Sequence, residues 1–163
     1  LRQVLLDNPN AVLIPVGITE ANKFASSIVG VEDQVKFLGY VQDPIPYLNM
    51  ADVFVSIFPA SGGSSLLEAV VSGQLPSVAM RSESVTPYEP HKESVAEECI
   101  PVPETLANNG DYMGIKNILD RLIQDDVFRS EMKMKTIENS KKFEAKYASD
   151  KYFNKVLSVY QGL

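Results

Sequence analysis

Gly62 and Gly63, flanked by Ser61, Ser64 and Ser65 and followed by Glu68, are the residues of this 163-residue chain best suited to chemistry. Two adjacent glycines let the backbone take positive φ and approach a ligand closely. Where such a turn opens a helix, the first N–H groups lack helical partners. With the helix dipole they attract an anion such as a diphosphate. Ser61, Ser64 and Ser65 add hydroxyl donors. Glu68 lies about one turn into a helix that starts near Gly63. From there its carboxylate can accept hydrogen bonds from two ribose hydroxyls, each contributing about 1.5–3 kcal/mol. A local reading competes. Every α/β protein has several strand-to-helix turns, and Ser65-Leu66-Leu67-Glu68 also fits the S-x-x-E capping box. In that case Glu68 only stabilises the helix, by about 1 kcal/mol. The S-G-G-S-S run has more small residues than a plain turn requires, which favours a nucleotide-containing ligand.

The elements around the turn must hold it at a sheet edge. Val53–Phe58 is an apolar run that reads as a buried strand, and a helix is expected from about Gly63 to Ser72, with Gly73 as its C-cap. Upstream, Leu1, Val4 and Leu5 read as the end of an amphipathic helix stopped by Asp7-Asn8-Pro9-Asn10. Ala11–Gly17 and Val35–Tyr40 read as strands, and Thr19 to Val29 as a helix ended by Gly30. Asp43-Pro44 opens a short helix to Met50. Ser77–Met80 is the next strand, followed by a polar loop over Arg81–Lys92, a helical turn over Glu93–Glu98 and a last short strand over Cys99–Val102. Three helices close the chain. The first starts at Asp111 with Tyr112, Ile115, Ile118, Leu119, Leu122 and Ile123 on one face; the others span Val127–Tyr147 and Asp150–Tyr160. Uniformly apolar strands alternating with helices mean a parallel sheet covered on both faces, a doubly wound α/β domain whose ligands bind beyond the carboxyl ends of strands.

Composition narrows the partners. Apolar residues make up 45% and charged residues 22%, as in an ordinary globular domain, and the net charge of −6 comes without a basic patch, so nucleic acid is not an expected partner. A phosphate must then be bound locally. Cys99 is the sole cysteine, which excludes an internal disulfide and a cysteine zinc site and fits a reducing compartment. No apolar run has the length of a membrane span, and no signal peptide is visible. The expected location is cytoplasmic, with a peripheral position at the inner membrane face as a second possibility. His91, the sole histidine, sits beside Lys92 in the loop after Met80 and can reach the same carboxyl edge, although a lone loop histidine is more often simply solvated. There is no G-x-x-x-x-G-K-[ST], no G-x-G-x-x-G, no G-x-S-x-G, and no D-x-D or His pair that would hold a metal.

Three further stretches carry a resemblance: Val35–Val41 (VKFLGYV), Tyr47–Val55 (YLNMADVFV) and Leu67–Val78 (LEAVVSGQLPSV). In this order and spacing they resemble the donor-binding half of GT-B glycosyltransferases of group 1, a family-4-like type. Members read V-x-F-L-G-x-V, then A-D-V-F-V-x-P-S, then a Gly-rich turn and L-E-A-x-A-x-G-x-P-V-V. The resemblance implies one Rossmann-like domain over residues 1–163 that binds a nucleotide-diphosphate sugar, with UDP as the expected nucleotide and no further cofactor. It implies that Glu68 holds the donor ribose, that Ser61–Ser65 surround the diphosphate, and that the backbone of Gly39, Tyr40 and Val41 lies by the base. It also implies that the chain is a fragment, lacking its first strand, the Lys or Arg that neutralises the diphosphate, and an N-terminal acceptor domain; a processed N-terminus is the alternative. The acceptor (glycan, lipid or protein) is not readable.

The chain departs from that pattern at one place. Retaining members carry a second glutamate eight residues before the ribose glutamate; here that position is Ala60, and Gly62 replaces a phenylalanine. The turn is more similar to the G-G-[ST]-[ST] of protein-modifying members, which invert, so either stereochemical outcome stays open. Two other functions remain: a non-catalytic GT-B-like module serving assembly or regulation, and an unrelated flavodoxin-like domain that binds phosphate.

Overall fold

The computed structural model describes residues 1–18, 21–56, 63–81, 100 and 103–143. Two parallel ladders form its frame. In the first, Leu13 pairs with Val35 and Val16 with Gly39. In the second, β1 (Phe54–Val55), β2 (Ser77–Met80) and β3 (Leu106–Ala107) lie in the order β1-β2-β3, with Phe54 opposite Ser77 and Ala79 opposite Leu106.

Side-chain alternation along β2 shows why the sheet needs two covers. Val78 and Met80 pack on one face against Ile115, Leu119 and Leu122 of α4 (Tyr112–Gln124) and Phe128 and Met132 of α5 (Asp126–Ser140). Ala79 packs on the other face against Leu66 and Val70 of α3 (Gly63–Val71). The two covered faces match the doubly wound expectation. α1 (Arg2–Asp7) joins the ladders: Val4 enters the Val78–Leu122 cluster, while Leu5 packs with Val31, Val35 and Leu13. The Gln34 side-chain amide ties the end of α1 to the first ladder by donating to the Leu5, Asn8 and Ala11 carbonyls at 3.1, 3.0 and 2.9 Å.

Several elements differ from expectation for identifiable reasons. The strands expected over Ala11–Gly17 and Val35–Tyr40 survive only as isolated bridges. Leu13 donates to the Gln34 carbonyl and Gly17 to that of Gly39, so one strand advances four residues while the other advances five. That is a one-residue bulge, and Pro15, halfway between, has no N–H to give. Val12, Ile14 and Val16, 57%, 38% and 37% exposed, make no hydrogen bond through their N–H groups among the described residues. The Thr19–Val29 helix is a 3-10 helix over Ala21–Ser27, pinned by Phe24 stacked on Phe37, with ring centroids 6.2 Å apart. β3 lies four to five residues after the strand expected at Cys99–Val102. Of that stretch only Ile100 is described, buried against α3's cluster. α5 ends at Ser140 and passes into a 3-10 turn, Lys141–Phe143, instead of running on to Tyr147. The helices expected over Glu93–Glu98 and Asp150–Tyr160 lie outside the described residues.

Other expectations hold. α2 (Ile45–Met50) starts behind Pro44, with the Ile45 N–H donating to the Asp43 carboxylate at 3.0 Å. Asp111 caps α4 by accepting from the Gly114 N–H at 2.7 Å, and Asp125 caps α5 by accepting from that of Phe128 at 2.9 Å. At the end of α3 the roles of two neighbours are exchanged. Gln74, not Gly73, takes the left-handed conformation, at φ 50°. Gly73 is needed for space: a Cβ there would lie 3.0 Å from the Ala69 carbonyl oxygen and 3.1 Å from the Leu48 Cβ.

A polar knot fixes α1 to α4. Lys116 pairs with Asp120 and, at 2.6 Å, with Asp7; buried Asn8 donates to the Val4 carbonyl and to Asp120, and accepts from Gln124. The hydrogen bond from Lys116, then that from Gln3, holds the Asp7 carboxyl below its ordinary 3.8, while Asp120 and then Asp7 hold Lys116 above its ordinary 10.5. Asp7 therefore adds stability above pH 3.8 that is lost as pH falls through its lowered value. Lys116 adds stability below pH 10.5 that is lost as pH rises through its raised value. Lys116→Met is expected to flatten the stability profile at both ends. Urea unfolding from about pH 2 to about pH 12 checks this; a variant as pH-sensitive as the parent in both windows would show that the knot contributes nothing.

Candidate functional site

The site is built at the carboxyl ends of parallel strands. β1 leads through residues 57–62 to α3, whose first residue is Gly63. Three N–H groups at that end have no partner within the helix, and no acidic residue occupies the first turn to compete with an anion. Ser61, Gly62 and His91 lie outside the described residues, as does the side chain of Ser64. Ser65 is the third residue of α3 and is exposed. Glu68 follows Gly63 by five residues, about 7.5 Å along the axis, and is exposed.

The helix start bears on the capping-box reading of Glu68. A capping box needs Ser65 outside the helix as N-cap. The helix is already two residues old at Ser65, and among the described residues no hydrogen bond or ion pair engages the Glu68 carboxylate. The Glu68 carbonyl accepts from the Ser72 and Gly73 N–H groups, so the backbone is fixed while the carboxylate faces solvent. Leu66, Ala69 and Val70 form the buried stripe, whereas Leu67 is 37% exposed beside Glu68.

Gly39, Tyr40 and Val41 occupy the carboxyl end of the first ladder. The Gly39 carbonyl accepts from the Gly17 N–H at 2.7 Å, and Gly39 takes φ 67°, which turns the chain outward. Tyr40 is then 79% exposed and Val41 half-buried. Gly39–Val41 thus lie at a strand end, and no hydrogen bond joins them to α3 among the described residues.

Two residues at this edge escaped the sequence reading. Arg81 follows β2 directly, and its N–H donates to the Ala107 carbonyl at 2.8 Å, setting a cation at the carboxyl end of the strand next to β1. Ser56 follows β1. Its N–H donates to the Val78 carbonyl at 2.9 Å, its side chain is buried, and its hydroxyl has no hydrogen-bond partner among the described residues. The signal for Ser56 was present: it is the one polar residue in Val53–Phe58, a run whose two faces both need apolar side chains. Among the described residues no group of three or more His, Cys, Asp or Glu is placed to hold a metal ion, and no helix is long and apolar enough to cross a membrane.

Known proteins share this fold. Residues 1–125 match the family model described as "Glycosyl transferases group 1". Among solved structures, the "Crystal Structure of TarM" superposes with a TM-score of 0.75 at 21% identity, covering 98% of this chain and 30% of that one. The chain therefore spans about a third of the length of that protein. No curated protein matches the sequence. The fold is the α/β, parallel-sheet half of the GT-B type that the three sequence stretches resemble.

Proposed function

Because the chain belongs to the group 1 glycosyl transferases, we propose that it is the half of such an enzyme that binds the donor, a nucleotide-diphosphate sugar with UDP as the expected nucleotide. The observation that carries this reading is the pairing, on one helix, of an amino end free of acids with an exposed carboxylate that no described side chain engages. The N–H groups from Gly62 to Ser65 would face the diphosphate, Glu68 the ribose hydroxyls, and the backbone of Gly39–Val41 the base. His91 would approach from the loop after β2. As the bond between sugar and phosphate breaks, negative charge grows on the diphosphate. N–H dipoles already oriented there stabilise that charge without reorganising; in acyl transfer, losing one such donor costs about 3 kcal/mol.

The acceptor site, the basic group upstream and any catalytic base belong to a partner domain in this reading, and the hexosyl transfer is an activity of the two halves together. α1 touches both ladders through the adjacent residues Val4 and Leu5.

Calorimetry with UDP, GDP and ADP tests the proposal: one of the three is expected to bind. A folded chain that binds none would sink it and leave the non-catalytic module, in which Ala60 marks a lost sugar site.

A further inference from the structure

The Ser56 hydroxyl is buried where it has no reason to be unless something pairs with it. Ser56 is 1% exposed and its Oγ lacks a hydrogen-bond partner among the described residues. The other buried polar side chains of the described residues are bonded: Asn8 to the Val4 carbonyl, Ser77 to that of Leu75, Thr136 to that of Met132 and Ser140 to that of Ile137, with Thr105 engaged as well. A buried hydroxyl without a partner loses its hydration for nothing, and alanine in its place would remove that penalty.

Its direction follows from strand alternation. Val53 and Val55 pack on the α4–α5 face, whereas Phe54 packs against Leu66 and Val70 of α3. Ser56, two residues beyond Phe54, shares Phe54's face and lies one step nearer the carboxyl end of the strand. The hydroxyl is therefore on the sheet face that α3 covers, at the carboxyl end of β1; α3, which follows β1 in the chain, is nine residues long and has no acid in its first turn.

We propose that Ser56 is a ligand contact: its O–H donates to a phosphate oxygen of the nucleoside diphosphate seated on the amino end of α3. The inference rests on the donor-binding reading above and adds to it a donor rooted in the sheet, beneath the N–H groups rooted in the helix. A fixed hydroxyl at that depth selects for a diphosphate over a nucleoside, because it is satisfied only when a phosphate arrives.

The test compares the full chain with Ser56→Ala and Ser56→Thr, using whichever of UDP, GDP and ADP binds the parent, together with its nucleoside. Ser56→Ala is expected to weaken the diphosphate about ten- to a hundredfold, the scale of one hydrogen bond to a charged group. It is expected to leave the nucleoside unchanged and to melt no lower than the parent without ligand; Ser56→Thr, which keeps a hydroxyl, is expected to retain most of the affinity. Diphosphate affinity within twofold of the parent in Ser56→Ala would overturn the proposal. So would an equal loss for nucleoside and diphosphate, or a lower unliganded melting temperature, which would mean that the hydroxyl already serves the fold. A parent that binds no nucleotide overturns the donor-binding reading itself, an outcome distinct from a parent that binds and an alanine variant that binds equally well.

Discussion

Glu68→Ala is expected to weaken nucleotide diphosphate binding by at least a hundredfold, about 3 kcal/mol or more, while the unfolding midpoint stays close to that of the parent. The size follows from two hydrogen bonds between a carboxylate and ribose hydroxyls, each contributing about 1.5–3 kcal/mol. The unchanged midpoint follows from position. Glu68 is exposed, its carboxylate serves no described group, and alanine is a better helix former than glutamate. Calorimetry gives the first quantity and urea unfolding the second. Glu68→Gln sharpens the result: the amide keeps shape and one acceptor but loses the charge, so it should fall between parent and alanine. A 2′-deoxy form of the nucleotide should lose affinity for the parent and little for Glu68→Ala, because the two changes remove the same bond. If Glu68→Ala bound as the parent does, Glu68 would be a solvated helix residue and the ribose contact would have to be sought elsewhere.

The same helix shows what was legible in the sequence. α3 could be read because a glycine pair, a buried stripe at Leu66, Ala69 and Val70, and a stop near Gly73 agree with one another. The ambiguity at Glu68 could not be settled from sequence, because the capping box and the ligand role differ only in where the helix begins. The structure starts the helix at Gly63, which removes the capping box and leaves the ligand role to the binding experiment. β2 was legible because its four residues are buried and three of them in a row, Val78, Ala79 and Met80, are apolar; β3 was not, since two residues between a 3-10 turn and Asn108 are too short for any period to register. Ser56 was passed over for a different reason. Apolar patterning was used to find the strand, and one polar residue was absorbed as tolerance, although a strand covered on both faces makes a serine the informative position. At Gly73 the residue type predicted a conformation, and the structure shows that packing against Leu48 and Ala69 explains it instead.

The packing beneath α3 makes its own prediction, because the same side chains that hold the helix also aim its amino end. Leu66→Ala and Leu122→Ala both empty fully buried sites, at 0% exposure each, on opposite faces of the same strands. Each is expected to lower stability by about 2–5 kcal/mol through lost burial and a residual cavity, measured by urea unfolding. Their effects on nucleotide binding should differ. Leu66 lies in the first turns of α3 against Ala79, Phe54 and Ile100, so its loss lets the amino end shift relative to β1. Leu122 packs on the other face, with Val78 and Phe128 between α4 and α5, and its loss leaves α3 seated. At a temperature where both variants remain folded, Leu66→Ala should weaken the diphosphate severalfold and Leu122→Ala should bind as the parent does. Equal binding losses would mean that affinity tracks global stability alone, and that the position of α3 on the sheet does not set the geometry of the site.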